Sequence, residues 1–483
     1  MSRISREEVA NNLAWKFMER CGAQGVTFLV SIILARLLDP EVYGIIALVT
    51  VFTALLQVFV DSGMGNALIQ KKDADELDFS SVFYFNVASC VILYIGIFIA
   101  APWIANFYNM PELTLIVRVI GLTIIISGVK NIQQAFVSKY MMFKRFFFAT
   151  LGGTIGAAIC GIWMAYAGYG VWALITQNLF NQIVDTIILW VTVKWKPRKL
   201  FSFTRLKILF SYGWKLLVAS IIDTGYSKLR QLIIGKIYTV EDLAFYEKGQ
   251  QFPSLIISNI GASIDSVLLS ALSIEQENRE RILAMSRRAI KTSTYILMPM
   301  MIGLSVCANP IVSLLLSDKW LPCVPFLRIA CIATVIQTVS ASSLIAIKAI
   351  GRSDLFLKLE IIKKILGFVV LFGTMWFGVR AIAYGLLIVS IVSQLINSWP
   401  NKKLLNYSYL DQLKDFLPST VLSVVMGSIV YAVELLGVGN MKTLIIQIFV
   451  GSIVYVLISI LFKFESFEYI IRIAKNYFNK SNT

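Results

Sequence analysis

The sequence predicts an all-α membrane protein with about fourteen transmembrane helices. Two pseudo-symmetric six-helix lobes surround a central cavity in this prediction, and two extra helices follow at the C-terminus. Three observations support it. Of the 483 residues, 57% are hydrophobic and only 15% are charged. Apolar runs close to the roughly 20 residues that cross a bilayer recur along the whole chain. The chain also resembles itself at an offset of 200 residues.

The internal repeat preserves order and spacing more than residue identity. The segment 35–46 is echoed by the segment 235–246, and Arg118 is echoed by Arg328, so the offset drifts to 210 through an insertion. A doubled helical bundle in a bilayer is typical of transporters, with the substrate site between the two copies. The repeat therefore predicts two equivalent lobes around one site.

Fourteen segments qualify as candidate spans, of which the first, seventh and eighth are unusually polar. They lie at about 11–37, 42–66, 79–104, 113–138, 147–167, 170–193, 208–235, 243–271, 288–308, 323–348, 357–378, 381–400, 416–437 and 441–462. The resulting domains are an N-lobe with helices 1–6 (1–193), a basic cytoplasmic linker (194–207), a C-lobe with helices 7–12 (208–400), helices 13 and 14 (401–463) and an amphipathic cytoplasmic tail (464–483).

The distribution of basic residues predicts the topology. The net charge is +16, and most of the 44 Lys and Arg residues fall at the termini and in the even-numbered connections between spans. Basic residues concentrate on the cytoplasmic side of membrane proteins, so both termini are predicted to be cytoplasmic. No basic soluble module remains that could bind nucleic acid.

Several function classes are excluded by what the sequence lacks. There is no histidine, which removes His-dependent catalysis and the commonest metal ligand. The six Cys are scattered through predicted helices, so buried reduced thiols are expected rather than disulfides or metal ligands. No Walker-type phosphate loop is present, so ATP is not expected as the direct energy source. Neither a cofactor nor an enzymatic activity is predicted.

One basic segment and one acidic segment give less information about function. The linker 194–207 mixes Lys and Arg with Leu200, Phe201 and Phe203, which suits either a segment on the membrane surface or an ordinary basic loop. The acidic run 73–78 is expected to be a solvated loop.

The candidate site comes from ionisable residues inside spans 1, 2, 7 and 8. Such residues cost roughly 2.5–3.5 kcal/mol each in a bilayer, so they are expected to face a cavity or a partner. They advance by three or four residues and form polar stripes, which predicts a water-filled cavity. The candidate substrate-binding cations are Lys16, Arg20, Lys215, Lys228, Arg230 and Lys248. The candidate coupling or gating carboxylates are Asp61, Asp223, Glu247 and Asp265.

A cation-rich cavity suits an anionic headgroup, since arginine binds phosphate through its planar donor fork. The alternative for some of these charges is that they lie near the bilayer surface and extend into water. Arg118 and Arg328 are interpreted as helix caps, surface-reaching side chains or substrate contacts.

Three strings carry a family resemblance: ARLLDPEVYG at 35–44, FVDSGMGNALIQK at 59–71 and GYGVWAL at 168–174. They resemble the polysaccharide-transporter family of the multidrug/oligosaccharidyl-lipid/polysaccharide exporter superfamily, and most of all its colanic-acid-exporter type of flippase. The resemblance extends over nearly the whole chain and is fainter in the second half.

The resemblance implies alternating access in a fourteen-helix fold of the bacterial inner membrane. It implies that undecaprenyl-diphosphate-linked oligosaccharide moves from the inner to the outer leaflet for surface polysaccharide synthesis. The implied partners are the phospholipid membrane, a proton or sodium counter-ion, and polysaccharide polymerase and chain-length regulator proteins. Asp61 lies within the second matching string, so the resemblance implies importance for it without defining a role.

Three other functions remain as alternatives. A cation-coupled multidrug exporter of the same superfamily would favour an acidic cavity. A membrane glycan polymerase or acyltransferase commonly needs a large extramembrane loop or a catalytic histidine. A scaffold without transport activity would leave the four polar stripes unexplained.

Overall fold

The computed structural model describes residues 6–61, 64–274, 278–437 and 439–481, and every regular element in these ranges is helical. A short 3₁₀ helix spans Asp318–Cys323. The α-helices are α1 (Arg6–Leu37), α2 (Pro40–Asp61), α3 (Met64–Gln70), α4 (Glu76–Tyr108), α5 (Leu113–Lys139), α6 (Phe143–Tyr166), α7 (Val171–Thr192), α8 (Phe203–Ile237), α9 (Val240–Ile274), α10 (Arg279–Val306), α11 (Ala308–Leu316), α12 (Val324–Ala349), α13 (Ser353–Thr374), α14 (Val379–Leu405), α15 (Tyr409–Glu434), α16 (Asn440–Leu461) and α17 (Glu465–Ser481).

The all-helical membrane fold is confirmed. Each predicted span overlaps one long helix, and the spans 42–66 and 288–308 also reach the first residues of the short helices α3 and α11. Within the described ranges, nine helical segments are long and apolar enough to cross a membrane. The polar helices α1, α8 and α9 are not among the nine, and neither are α7 and α13. That all fourteen long helices cross the bilayer stays a prediction.

The helices form two compact units, Met1–Ala244 and Phe245–Thr483. In the first, α6 packs on α7 and α1, α4 packs on α5, and α8 lies against α2, α3 and α4. In the second, α10 packs on α15 and α12, α12 packs on α14, and α16 packs on α15. The predicted lobe boundaries around the linker 194–207 stay a prediction.

Within the first unit, α8 approaches α2 closely at the end where α8 leads into α9. A Cβ atom at Gly44 would collide with the backbone carbonyl of Val240, so only glycine fits there. The Tyr108 hydroxyl donates to the Leu232 carbonyl at 3.5 Å, and the Lys236 ammonium donates to the Phe107 carbonyl. These contacts fix the end of α8 against α2 and α4.

The two repeat-equivalent arginines make the same contact in both units. Arg118 Nε donates to the Phe98 carbonyl of α4 at 3.3 Å, and Arg328 Nε donates to the Ser305 carbonyl of α10 at 3.2 Å. Each therefore binds the backbone of the preceding long helix. Of the interpretations left open for this pair, the structure supports attachment to a neighbouring helix.

The acidic run 73–78 is not simply a solvated loop, and that expectation is corrected here. The Asp78 side chain is 0% exposed and lies 2.5 Å from Lys71 Nζ and 3.5 Å from an Arg205 nitrogen. Asp75 and Asp78 also form a reciprocal capping box at the start of α4. The Asp78 backbone N–H holds the pKa of Asp75 below its usual 3.8. A carboxylate in this position needs its cations, because an unpaired buried charge is costly.

The linker 194–207 is attached to the start of α4. Trp195 is buried among Phe79, Phe83 and Phe136. The backbone N–H of Arg198 donates to Ser80 Oγ at 3.0 Å. The apolar side chains that suggest a membrane-surface segment remain exposed: Leu200, Phe201 and Phe203.

Candidate functional site

Four of the ten predicted site residues have side chains outside the described part of the structure. Their backbones lie on the expected polar helices: Lys16 and Arg20 on α1, Lys215 on α8 and Asp265 on α9. Their roles stay predictions.

Helix α8 carries three of the other predicted residues and belongs to the first unit. Its N-terminus is capped by Ser202, whose hydroxyl accepts from the Arg205 N–H at 3.4 Å. Asp223 is exposed, whereas Lys228 and Arg230 are half-buried. The Arg230 guanidinium lies 5.7 Å from the centre of the Tyr226 ring, a distance at which the ring face attracts a cation.

Asp61 ends α2 and connects it to α5. Its Oδ1 accepts hydrogen bonds from Gln57 Nε2 at 2.9 Å and from Asn131 Nδ2 at 3.1 Å. The side chain nevertheless remains exposed. Since α8 also packs on α2, the first unit brings Asp61 and the α8 charges onto two adjoining helices.

The second unit carries Glu247 and Lys248 on α9. Glu247 is partly exposed, whereas Lys248 is only 5% exposed. The Lys248 ammonium donates to Gln251 Oε1 at 3.0 Å and lies 5.5 Å from the centre of the Trp320 ring. Lys248 is thus held inside its own unit, and its direct contact with a substrate stays a prediction.

A buried ion pair in the first unit was not predicted from the sequence. Lys130 Nζ of α5 lies 2.9 Å from Asp185 Oδ2 of α7, and it donates to Gln182 Oε1 at 2.6 Å. Lys130 and Asp185 are 9% and 7% exposed. A signal was present, because each residue interrupts an otherwise apolar span, and such charges are usually paired.

The corresponding helices of the second unit hold a neutral network instead. Gln412 Oε1 accepts from Gln394 Nε2 at 2.8 Å, from Ser398 Oγ at 2.8 Å and from Ser343 Oγ at 3.2 Å. All four side chains are buried. Uncharged hydrogen bonds therefore join α12, α14 and the start of α15.

Metal-binding chemistry has no support in the part of the chain that the structure describes. No group of three or more Cys, Asp or Glu side chains there could hold a metal ion. The six cysteines are free thiols, and four of them are buried.

Comparison with protein families gives a match over most of the chain. Residues 33–325 match the model of a family described as "Polysaccharide biosynthesis protein". The chain is 22% identical over 394 residues to the succinoglycan biosynthesis transport protein ExoT of Rhizobium meliloti, covering 81% of this chain and 77% of the relative. It is also 22% identical over 435 residues to the lipopolysaccharide biosynthesis protein WzxC of Escherichia coli, covering 87% and 88%.

Two solved transporter structures have a similar fold. The lipid II flippase MurJ in an inward closed conformation superposes with a TM-score of 0.76 at 15% identity, covering 94% of this chain and 99% of that protein. An inward-facing multidrug resistance transporter of the MATE family gives a TM-score of 0.61 at 16% identity, covering 81% and 97%. At these identities the similarity concerns the fold alone.

Proposed function

The chain belongs to the polysaccharide biosynthesis protein family, and from this premise we propose that it transports a lipid-linked polysaccharide precursor across the membrane, without enzymatic activity. The substrate we propose is undecaprenyl-diphosphate-linked oligosaccharide, moved from the inner to the outer leaflet of the bacterial inner membrane for surface polysaccharide synthesis. The likeness in sequence to ExoT and WzxC and the likeness in fold to a lipid II flippase support this proposal.

The observation that carries the substrate proposal is the cationic stretch of α8. Arg230 lies one turn after Tyr226, with Lys228 between them on a different face, on a helix that is too polar to qualify as an ordinary apolar span. A diphosphate is the part of such a lipid that needs cations, and arginine can bind it through paired N–H donors. The lipid tail can meanwhile remain in the bilayer.

The membrane potential favours this direction of movement. An inside-negative potential expels an anion with roughly 2.3 kcal/mol per charge per 100 mV. A diphosphate of about two charges therefore gains roughly 4–5 kcal/mol at such a potential. Alternating access does not then require a counter-ion, although Asp61, Asp223, Glu247 and Asp265 are the proposed residues for coupling to a proton or sodium ion.

The test compares leaflets in cells that express variants of this chain. The precursor is quantified by mass spectrometry, with and without a membrane-impermeant reagent that modifies sugars. We expect Arg230→Ala to reduce outward movement by about tenfold or more, since hydrogen bonds to charged groups contribute about 1.5–3 kcal/mol. Arg230→Lys should be intermediate, because it retains the charge and loses the fork.

The matched control is Lys207→Ala, which removes an exposed cation from the first turns of the same helix. Its outward movement should equal that of the wild type. If cells lacking the chain still deliver the precursor normally, and no second transporter is present, the proposed function is wrong. If Arg230→Ala behaves like Lys207→Ala, the role of Arg230 is wrong.

A further inference from the structure

Helix α12 separates two cavities of the second unit that differ in chemistry. One, of about 620 Å³, lies between α10, α12 and α15 and is lined mainly by apolar side chains, including Met298, Ile302, Val306, Ile332, Val335 and Phe416. The other, of about 370 Å³, lies between α9, α12 and α14. Half of the described residues that line the smaller cavity carry an amide or a hydroxyl: Gln250, Ser254, Thr334, Gln337 and Thr338.

The smaller cavity offers hydrogen-bonding groups without charge. None of its described lining residues is ionisable. The Gln250 amide and the Thr334 hydroxyl make no hydrogen bond to the described residues. Gln337 uses its Nε2 on Ser390 Oγ at 3.1 Å, which leaves its carbonyl oxygen as an acceptor. Thr338 donates to the Thr334 carbonyl at 3.0 Å.

The remaining lining of the smaller cavity is apolar. Ala330, Ala333 and Ala341 contribute methyl groups from α12, and Ile257 and Leu386 contribute from α9 and α14. The small alanine side chains leave room for a ring-shaped ligand. The C–H groups of such a ring need apolar contact. The volume is near the lower end of the roughly 300–1,000 Å³ of small-molecule sites.

We propose that this cavity binds a neutral sugar ring of the lipid-linked precursor, an inference that rests on the proposed function. A sugar presents hydroxyls that both donate and accept, around an apolar ring, and the cavity matches both properties. Ser254 and Gln250 lie one or two turns after Glu247 on α9. The cavity thus adjoins the predicted polar stripe.

A lipid chain suits the smaller cavity poorly. It would leave the Gln250 amide and the Gln337 carbonyl oxygen without partners, and an unpaired polar group is costly when buried. A lipid chain in the larger, apolar cavity would leave far fewer polar groups without partners. The contrast across α12 therefore favours a polar, uncharged occupant for the smaller cavity.

The experiment measures equilibrium binding to the purified full-length protein in detergent. The two probes are undecaprenyl-diphosphate-linked oligosaccharide extracted from the strain that encodes the chain, and undecaprenyl diphosphate without sugar. We expect the wild type to bind the first more tightly. Gln250→Leu combined with Thr334→Val should weaken that binding by about tenfold, as expected for two hydrogen bonds to a neutral ligand. Binding of the bare diphosphate should not change.

The matched control is Thr420→Val, the same substitution in the wall of the apolar cavity, and it should bind both probes like the wild type. Thr334→Val alone is nearly isosteric and serves as the test if the double variant does not fold. An unchanged ratio between the two probes in the cavity variants, or no preference in the wild type, overturns the glycan pocket alone. Failure of the wild type to bind either probe contradicts the proposed function itself.

Discussion

At the scale of single residues, Lys130 and Asp185 are two buried charges of the first unit that would be costly to leave unpaired. Both are buried, and the Lys130 ammonium contacts Asp185 and Gln182. A buried charge stabilises the fold only when its partner is present, because either charge alone would be uncompensated in the protein interior. The pair therefore fixes α5 against α7.

We expect Asp185→Asn to destabilise the protein by about 3–5 kcal/mol, the usual cost of breaking a buried ion pair. The double variant Lys130→Met with Asp185→Leu should regain most of this loss, because no charge stays buried. Denaturant-induced unfolding of the purified protein in detergent measures both effects. Glu112→Gln, a change at an exposed residue with no cap hydrogen bond, is the control. Equal stability of Asp185→Asn and the control would show that the pair contributes nothing.

Sequence reasoning located charged residues on helices but could not pair them. Polar stripes follow from a period of 3.6 residues, so the shared face of Asp223, Tyr226 and Arg230 was predictable. Besides Gln57 on its own helix, Asp61 is bound by Asn131, 70 residues away on α5. Such pairings depend on which helices pack together, and no local pattern encodes that.

At the scale of elements, the basic connection between α7 and α8 is attached to α4 by ion pairs and hydrogen bonds. Asp78 accepts from Lys71 and Arg205, and Arg198 pairs with Glu76 at 2.6 Å. These contacts attach the beginning of α8 to the beginning of α4. The composition alone suggested a solvated acidic loop, because burial of a single aspartate cannot be read from a run of acidic residues.

We expect Asp78→Asn to release the linker 194–207. The variant leaves Lys71 and Arg205 without their buried carboxylate, so trypsin should cleave the linker about tenfold faster, in line with about 1.5–3 kcal/mol for a hydrogen bond to a charged group. Limited proteolysis followed by mass spectrometry gives the rate. Asp73→Asn changes an exposed aspartate of the same run and should not alter cleavage. Identical rates for the two variants would refute the attachment.

At the scale of the whole molecule, the number of membrane crossings decides the topology. Nine described segments are apolar enough by composition, whereas fourteen spans are predicted. An even number of crossings places both termini on one side, and nine would place them on opposite sides. The two counts therefore differ in an observable way.

We expect fluorescent-protein fusions to be bright at both termini, because both are predicted to be cytoplasmic. Alkaline phosphatase inserted between α15 and α16 should be active, since that connection is predicted to face outward. Phosphatase is active only outside the cytoplasm, and the fluorescent protein serves as its opposite control. Activity of phosphatase at one terminus only would indicate an odd number of crossings.

The fold was predictable because apolar runs and their repetition are local and redundant signals. Every long helix matches a predicted span, even α8 and α9, which hydropathy alone passes over. The grouping of α8 with the first unit was harder to predict from the sequence, because it depends on contacts between segments that are far apart along the chain. The same holds for the two cavities beside α12, whose lining residues come from separate parts of the chain.

The position of α12 between these cavities has a mechanical consequence. One helix forms a wall of both, with Thr334 and Gln337 on one side and Val335 and Ile332 on the other. Any displacement of this helix toward α9 and α14 shrinks the polar space and enlarges the apolar one. The volumes of the two cavities therefore change in opposite directions when α12 moves.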